Sequence, residues 1–432
     1  MIFLVVGILG LLWSVKIKGI SFFLFLMLSI SSLSAVLVGR QIALTENNFL
    51  YTIYTCIILF LLFSCYHSYG HVRSINMDGV ILRKLDKVSS FILAPSILVL
   101  LINIYIIIRV FPLLISGYIV VNEFKNEGGI DSLNILSSSI PHFLITLTNL
   151  FSPLGYLCVS FHFLNLLVGR IKKSFLYLLA SLVIPLSGLI SLSRSSTISY
   201  ILTYLGILFI FYPCLTAYLK KRIRKILIFG LGLVVSAMVA ITLGKSGEYY
   251  SKVSENDALI DENNMPALFS ALDYAGQWQE LSYKPISHYK DIQLGYGLYN
   301  SSGLGIFILK KIYGNDVVAS IYDNTLMKNL KHDEWYGFHG ITTMLVMDFG
   351  LLGALIFALI YHRIVIKMKP KKGEIPIKTL LALPVLLPLC VTFFSGNAYS
   401  SVHLDIAVIY FFILWYLIKV KITKNYASPV TN

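Results

Sequence analysis

Apolar runs recur along almost the whole chain, and this recurrence limits what the protein can fold into. Runs of about 18 residues or more are long enough to cross a hydrocarbon core of about 30 Å. Of the 432 residues, 57% are hydrophobic and only 13% are charged. Backbone polar groups in lipid must be satisfied within their own segment, so such spans are helices. The sequence therefore predicts an all-α polytopic membrane protein.

The charge and the cysteines exclude other classes. The net charge of +14 comes from lysines and arginines in short clusters between apolar runs, a pattern typical of topology determinants and not of nucleic-acid binding. The first apolar run is not followed by a small-residue cleavage site, which favours a span over a signal peptide. The five cysteines fall inside apolar runs without metal-type spacing, so neither disulfides nor a metal site are expected.

Eleven spans are predicted, at 1–15, 20–38, 49–67, 90–108, 143–168, 174–192, 198–218, 226–243, 341–361, 379–395 and 401–418. Transmembrane helices 1–8 then occupy residues 1–243. A large loop follows at 244–340, and helices 9–11 with a tail occupy 341–432.

The connecting segments alternate in charge, which predicts the orientation of the chain. Most of the 35 basic residues fall in one set, which includes "KKRIRK" at 220–225 and the run from Arg363 to Lys378. The positive-inside rule places this set in the cytoplasm. We therefore expect the N-terminus and the large loop on the outer side of the membrane and the C-terminus in the cytoplasm.

The large loop is too long for a simple connection and too polar to span the membrane. Loops of this kind often hold chemistry or recognition. Its aromatic residues alternate with acids, amides and lysines, as in a carbohydrate site, where sugar rings stack on aromatic faces. Trp278, Glu280 and Trp335 are the candidate glycan-binding residues.

Arg194 lies in "SRSST" between predicted spans six and seven, at the outer mouth of the bundle. Two interpretations are open for a guanidinium in this place. It binds a carboxylate such as Asp348 or Asp405, or it holds a phosphate through paired hydrogen bonds. In the second case the exposed N–H groups that begin span seven would add contacts to the anion.

His339 lies where the large loop enters span nine, in "FHGITTMLVMDFGLLG". Histidine is well suited to accept a proton near neutral pH, although an interfacial histidine is also a common helix-end residue. Asp348 is too far along the helix to orient His339 and is expected to be the intramembrane partner of a polar group or an arginine. Gly350 and Gly353 are expected to allow close helix packing.

These features together resemble the bacterial oligosaccharide repeat-unit polymerase and O-antigen ligase superfamily. Members combine a serine-flanked arginine at the outer end of a span, a large external loop, and a helix that opens with His and one further residue, followed by nine residues and then Gly-x-x-Gly. Here His339-Gly340 departs from the ligase pattern, which has Asn, Ser or Gln after the histidine. "DFGLLG" at 348–353 and "SRSS" are closer to the polymerases.

The resemblance implies a GT-C-like fold and a metal-independent, inverting membrane glycosyltransferase without a cofactor. It would act at the periplasmic face of the bacterial inner membrane. The polymerase moves a growing glycan en bloc from undecaprenyl pyrophosphate onto one lipid-linked repeat unit, and a polysaccharide chain-length regulator is an expected partner. Arg194 would bind the pyrophosphate and His339 would act as general base, with Glu280 and Asp333–Glu334 as alternative bases. The family also suggests an arginine in the loop, which is missing, so Lys245 or Arg109 would supply the second cation.

Two alternatives are open. The first is the ligase, which passes finished glycan to a lipid A core and is also an enzyme of lipopolysaccharide biosynthesis. The second is a flippase or another transporter of lipid-linked oligosaccharide. The odd span count, the few charges within spans and the long outer loop argue against a transporter.

Overall fold

The computed structural model describes residues 2–16, 19–40, 46–76, 79–115, 140–190, 194–225, 266–287, 292–299, 302–314, 340–394 and 402–426. In chain order the helices are α1 (Ile2–Ser14), α2 (Ile20–Leu37), α3 (Glu46–Ser64), α4 (Gly79–Ile115), α5 (His142–Phe151), α6 (Leu154–Leu167), α7 (Ile171–Ser181), α8 (Val183–Ile190), α9 (Arg194–Phe211), α10 (Pro266–Gly276), α11 (Trp278–Ser287), α12 (Ser302–Tyr313), α13 (Ile341–Lys367), α14 (Ile377–Leu386), α15 (Pro388–Val391) and α16 (Val402–Tyr426). Two short strands, β1 (Ser74–Asn76) and β2 (Glu374–Pro376), pair in parallel with Ser74 opposite Glu374.

Six of the described helical stretches are long and apolar enough to cross a membrane, at Ile20–Leu37, Asn48–Gly70, Leu82–Arg109, Ile171–Gly188, Ser196–Cys214 and Ile341–Lys367. The pair α5–α6 adds a seventh if its 45° bend lies within one span. Pro153 lies at that bend, where its missing N–H interrupts the helical hydrogen bonds. The prediction of an all-α polytopic membrane protein is confirmed.

The number of eleven spans stays a prediction. Predicted spans 1–15, 379–395 and 401–418 correspond to shorter apolar helices, Ile2–Ser14, Ile377–Val391 and His403–Ile418. Pro384 lies inside α14 and Pro388 begins α15, which explains why this stretch is divided. The predicted span 226–243 lies outside the described residues.

The chain divides into two compact units. The first comprises residues 1–73, 208–373 and 389–400, and the second comprises 74–207, 374–388 and 401–432. In the first unit α1 packs closely on α2, because a Cβ at Gly7 would lie 2.6 Å from the Ser29 hydroxyl. Helix α3 packs along α13, and two residues beyond the end of α3 the hydroxyls of Tyr66 and Tyr361 share a hydrogen bond of 2.7 Å.

In the second unit polar side chains hold α9 against α6 and α7. Nε2 of His162 on α6 lies 3.1 Å from the Tyr204 hydroxyl on α9, and Nδ1 of His162 lies 3.0 Å from the Ser174 carbonyl oxygen on α7. Ser181 and Tyr200 share a hydrogen bond of 2.7 Å. These contacts orient α9, the helix that begins at Arg194.

Segments predicted to share a membrane face contact one another. Asp86 near the start of α4 pairs with Arg170 and Lys173 beside the α6–α7 turn. The Arg73 N–H donates to the Gly373 carbonyl oxygen at 2.7 Å. Arg40, which follows α2, contacts helices of the large loop. The orientation of the chain in the membrane stays a prediction.

Candidate functional site

Two helices of the large loop, α10 and α11, pack on the second half of α2. The indole N–H of Trp278 donates to the Ser31 hydroxyl at 2.7 Å, and that hydroxyl donates to the Ala275 carbonyl oxygen at 2.6 Å. The Gln279 amide donates to Ser32 at 3.0 Å. A Cβ at Gly276 would lie 2.5 Å from the Ala35 backbone nitrogen, so a glycine is needed at this crossing. The serines within this apolar helix therefore anchor the loop.

An ion cluster holds the same two loop helices at the end of α2. The Arg40 guanidinium donates from Nε to Asp273 at 2.9 Å and from Nη1 to Glu280 at 2.8 Å. Burial lowers the pKa of Arg40, but the two carboxylates outweigh it and hold that pKa above its usual value. Burial raises the pKa of Asp273, against the lowering effect of Arg40. The single positive charge of Arg40 therefore does not fully neutralise the two carboxylates of Asp273 and Glu280.

The start of α13 is fixed by α11. The Gly340 N–H donates to the Ser282 hydroxyl at 2.8 Å, and the Thr343 hydroxyl donates to the Ser282 carbonyl oxygen at 3.2 Å. A Cβ at Gly340 would lie 2.9 Å from the Trp278 ring, so the indole lies against this backbone. The Ile341 N–H donates to the Phe393 carbonyl oxygen at 2.7 Å. These bonds fix the position of Gly340, the residue that follows His339.

Asp348 holds a non-helical part of the large loop. Its carboxylate Oδ1 accepts the N–H groups of Gly297 and Tyr299, each at 2.9 Å. The backbone carbonyls of Met347 and Asp348 accept the N–H groups of Gly295 and Tyr296 at 3.0 and 2.9 Å. Asp348 is fully buried. Asp348 was predicted to pair with a polar group or an arginine. For its Oδ1 atom the partners are backbone amides of the loop.

Gly350 and Gly353 were predicted to allow close packing between helices, but their surroundings in the structure differ from that prediction. Gly350 has φ 69° and ψ 177° and interrupts α13, and a Cβ there would meet nothing nearer than Leu294 at 3.9 Å. Backbone conformation, and not a crowded neighbour, explains this glycine. At Gly353 a Cβ would lie 2.6 Å from the Phe349 Cβ, within the same helix.

Some of the predicted site residues lie within the described ranges and others lie outside them. Arg194 is the first residue of α9, and its side chain is not among those described. Arg109 is exposed beside Tyr105, with its guanidinium carbon 5.6 Å from the ring centre. Glu280 is paired with Arg40. His339, Trp335, Lys245, Asp333 and Glu334 lie outside the described residues.

The prediction that Trp278 stacks on a sugar is wrong. Its side chain is 1% exposed, and it packs between Phe3 and Phe393 at ring-centre distances of 5.2 and 5.5 Å. The loop needs an apolar core where it meets the spans, and Trp278 supplies part of it.

Sequence reasoning missed Ser31, Ser32, Arg40, Asp273 and Ser282 as the residues that position the loop. The cluster of serines within an apolar helix was the signal that could have found the anchor on α2. Within the described ranges, no group of three or more His, Cys, Asp or Glu side chains is placed to hold a metal ion. No protein-family model, curated protein or solved structure matches the chain.

Proposed function

We propose that the protein is a membrane glycosyltransferase that polymerises lipid-linked oligosaccharide repeat units. The donor is a growing glycan on undecaprenyl pyrophosphate, transferred en bloc to a single lipid-linked unit at the periplasmic face of the inner membrane. The product is O-antigen or a related surface polysaccharide. About eleven spans, in a GT-C-like arrangement, carry the site.

The observation that carries the proposal is the link between the large loop and the motif helix. Ser282 of α11 accepts the Gly340 N–H at 2.8 Å, next to His339. The same loop helix is bound to α2 through Trp278 and Gln279. A general base has to be held within hydrogen-bond reach of the proton it removes. A loop that fixes the backbone beside His339 supports this role for the histidine.

The start of α9 supports the phosphate-binding role of Arg194. The helix begins at this residue and runs for 18 residues. The first N–H groups of a helix have no partner within it and point toward an anion at the N-terminus. A guanidinium beside them adds a permanent charge and two parallel donors.

In the proposed reaction a hydroxyl of the acceptor sugar attacks the anomeric carbon of the donor glycan. The new C–O bond forms as the bond from that carbon to the pyrophosphate oxygen breaks, which inverts the anomeric configuration. His339 takes the proton of the hydroxyl, and Arg194 stabilises the negative charge that grows on the leaving pyrophosphate. Lys245 or Arg109 supplies the second cation.

Glu280 is the weaker of the alternative bases, because its Oε2 already accepts a hydrogen bond from the Arg40 guanidinium at 2.8 Å. Asp333–Glu334 is the alternative if His339 is not the base. Trp335 keeps its proposed role as a sugar-stacking residue in the same part of the loop.

Deletion of the chain in its native cell tests the proposal. A repeat-unit polymerase predicts that surface glycan shrinks to a lipid core capped with one repeat unit. Loss of all repeat units from the core would indicate the ligase instead. Accumulation of lipid-linked units on the cytoplasmic side would indicate a flippase. Either result would overturn the proposal.

A further inference from the structure

Residues 292–299 come before α12 in the large loop, and their contacts place them beside the candidate membrane-spanning helix α13. Ile292 and Tyr299 form a buried cluster with Met344 and Met347, and Leu298 packs against it. Asp348 accepts the N–H groups of Gly297 and Tyr299. The loop thus meets α13 along several residues and not only at its start.

The depth of this contact follows from the geometry of α13. This helix is a candidate span from Ile341 to Lys367. Asp348 lies seven residues after Ile341, which is about 10 Å along an α-helix. A hydrocarbon core is about 30 Å thick. With the span placed at 341–361, as the sequence predicts, Asp348 and the 292–299 segment bonded to it lie below the membrane surface.

The burial of α13 supports the same placement. All residues from Ile341 to Asp348 are buried, whereas Leu352 after the interruption is 73% exposed and Ile356 is 47% exposed. Exposed apolar side chains on a spanning helix face lipid. The first two turns of α13 are instead shielded by protein, in part by the 292–299 segment. Irregular backbone at membrane depth is tolerated when it is buried in protein and its polar groups are satisfied, as the bonds to Asp348 and Met347 satisfy them.

Helix α12 is the next described element after residues 292–299. A Cβ at Gly305 in its first turns would lie 2.6 Å from the Leu298 side chain, so the helix begins against the buried cluster. Its side chains Ile308, Ile312 and Tyr313 are 46%, 65% and 59% exposed. Ile308 and Ile312 are four residues apart and lie on one face of the helix.

We infer that residues 292–299 and α12 form a re-entrant part of the large loop, and that the apolar face of α12 contacts the acyl chains of the bilayer. The inference depends on the anchoring of residues 292–299 to α13 inside the span and not on the proposed enzymatic activity. The exposed face of α12 is apolar because it meets lipid beside the 292–299 segment, which covers the first turns of α13. Lys311 is compatible with this position, since a lysine can extend its ammonium toward the headgroups.

Site-directed spin labelling in phospholipid vesicles tests the inference. Ile308→Cys and Ile312→Cys are labelled in a chain with alanine at Cys56 and Cys214, the two partly exposed native cysteines. Leu352→Cys serves as the lipid-facing reference, and Lys371→Cys serves as the aqueous reference. The labels at 308 and 312 are expected to be relaxed by dissolved oxygen as strongly as the label at 352. They are expected to be protected from a water-soluble nickel chelate that relaxes the label at 371.

Accessibility to the nickel chelate equal to that at position 371 would show that α12 faces water and would overturn the inference. Protection from both reagents would show that the face is covered by protein, from this chain or a second copy, and would overturn it equally. Each labelled variant is first checked for a monodisperse elution profile, and Tyr313→Cys is a third position if one substitution prevents folding. Failure of the polymerase proposal would leave these accessibilities unchanged.

Discussion

The hydroxyl of Ser282 accepts the N–H of Gly340 at 2.8 Å, and this bond joins the large loop to the first turn of the motif helix. Gly340 is itself buried. A buried N–H without an acceptor costs more than the net value of the hydrogen bond it would have made. The position of the backbone beside His339 therefore depends on one serine of α11.

Ser282→Ala should destabilise the protein by about 1–3 kcal/mol, because it leaves the Gly340 N–H unsatisfied. Thermal unfolding in detergent measures this loss, and polymer formation should fall with it even below the unfolding temperature. Ser90→Ala is the control, since the Ser90 hydroxyl is exposed and bonds within its own helix turn. Equal stability of the two variants would contradict the importance of the Ser282 bond.

Arg40→Ala should destabilise the loop helices by up to about 3 kcal/mol, because it leaves the buried Asp273 carboxylate without its cation. Asp273→Asn should recover much of this loss in the Arg40→Ala background, since the amide removes the uncompensated charge. Glu280→Gln should recover less, because Glu280 is 39% exposed and water screens its charge. A double-mutant cycle on the unfolding temperature compares the two pairs. Equal recovery of stability by Asp273→Asn and Glu280→Gln in the Arg40→Ala background would contradict the expected order.

Asp348→Asn should be tolerated better than Asp348→Ala. The amide keeps an oxygen for the N–H groups of Gly297 and Tyr299, whereas alanine leaves both unsatisfied at about 1–3 kcal/mol each. Thermal unfolding and limited proteolysis of the loop measure the difference. If the charge of Asp348 mattered for pairing with an arginine, asparagine and alanine would be equally damaging.

Gly350→Ala should cost about 1–3 kcal/mol, because φ 69° with ψ 177° is a conformation that side chains other than glycine rarely adopt. Gly169→Ala is the matched control. Gly169 also has a positive φ, of 81°, and no atom lies within 4 Å of an added Cβ. Both changes therefore test backbone strain without a steric clash, and Gly350→Ala should be the more destabilising. The reverse order would show that α13 does not need this interruption.

The spans could be predicted from the sequence because hydropathy is a local property of each segment. Six of them are recovered as long apolar helices, and Asp86 contacts the cations of a segment predicted on its own side. The conformation at Gly350 could not be predicted, because the loop contact that accompanies it comes from residues about fifty positions earlier in the chain.

The partners of Arg40 were missed for the same reason. The predicted spans 20–38 and 49–67 put the segment that holds Arg40 on the outer face, but the sequence gives no sign that Asp273 and Glu280, more than two hundred residues later, contact it. Trp278 was misjudged because an aromatic residue in a polar loop was interpreted as an exposed sugar platform. The loop buries that ring to build its own contact with the spans.

Polymerisation by the purified chain in vesicles, with purified undecaprenyl-pyrophosphate-linked repeat units as the sole substrate, tests the proposed function most directly. The wild-type chain should form a ladder of lipid-linked polymers. Arg194→Ala should form none, and the control Arg222→Ala, which changes an exposed cation of the 217–225 helical segment, should leave the ladder unchanged. Polymers of normal length from Arg194→Ala would contradict the role of this arginine, and the absence of polymer from the wild-type chain would contradict the proposed function itself.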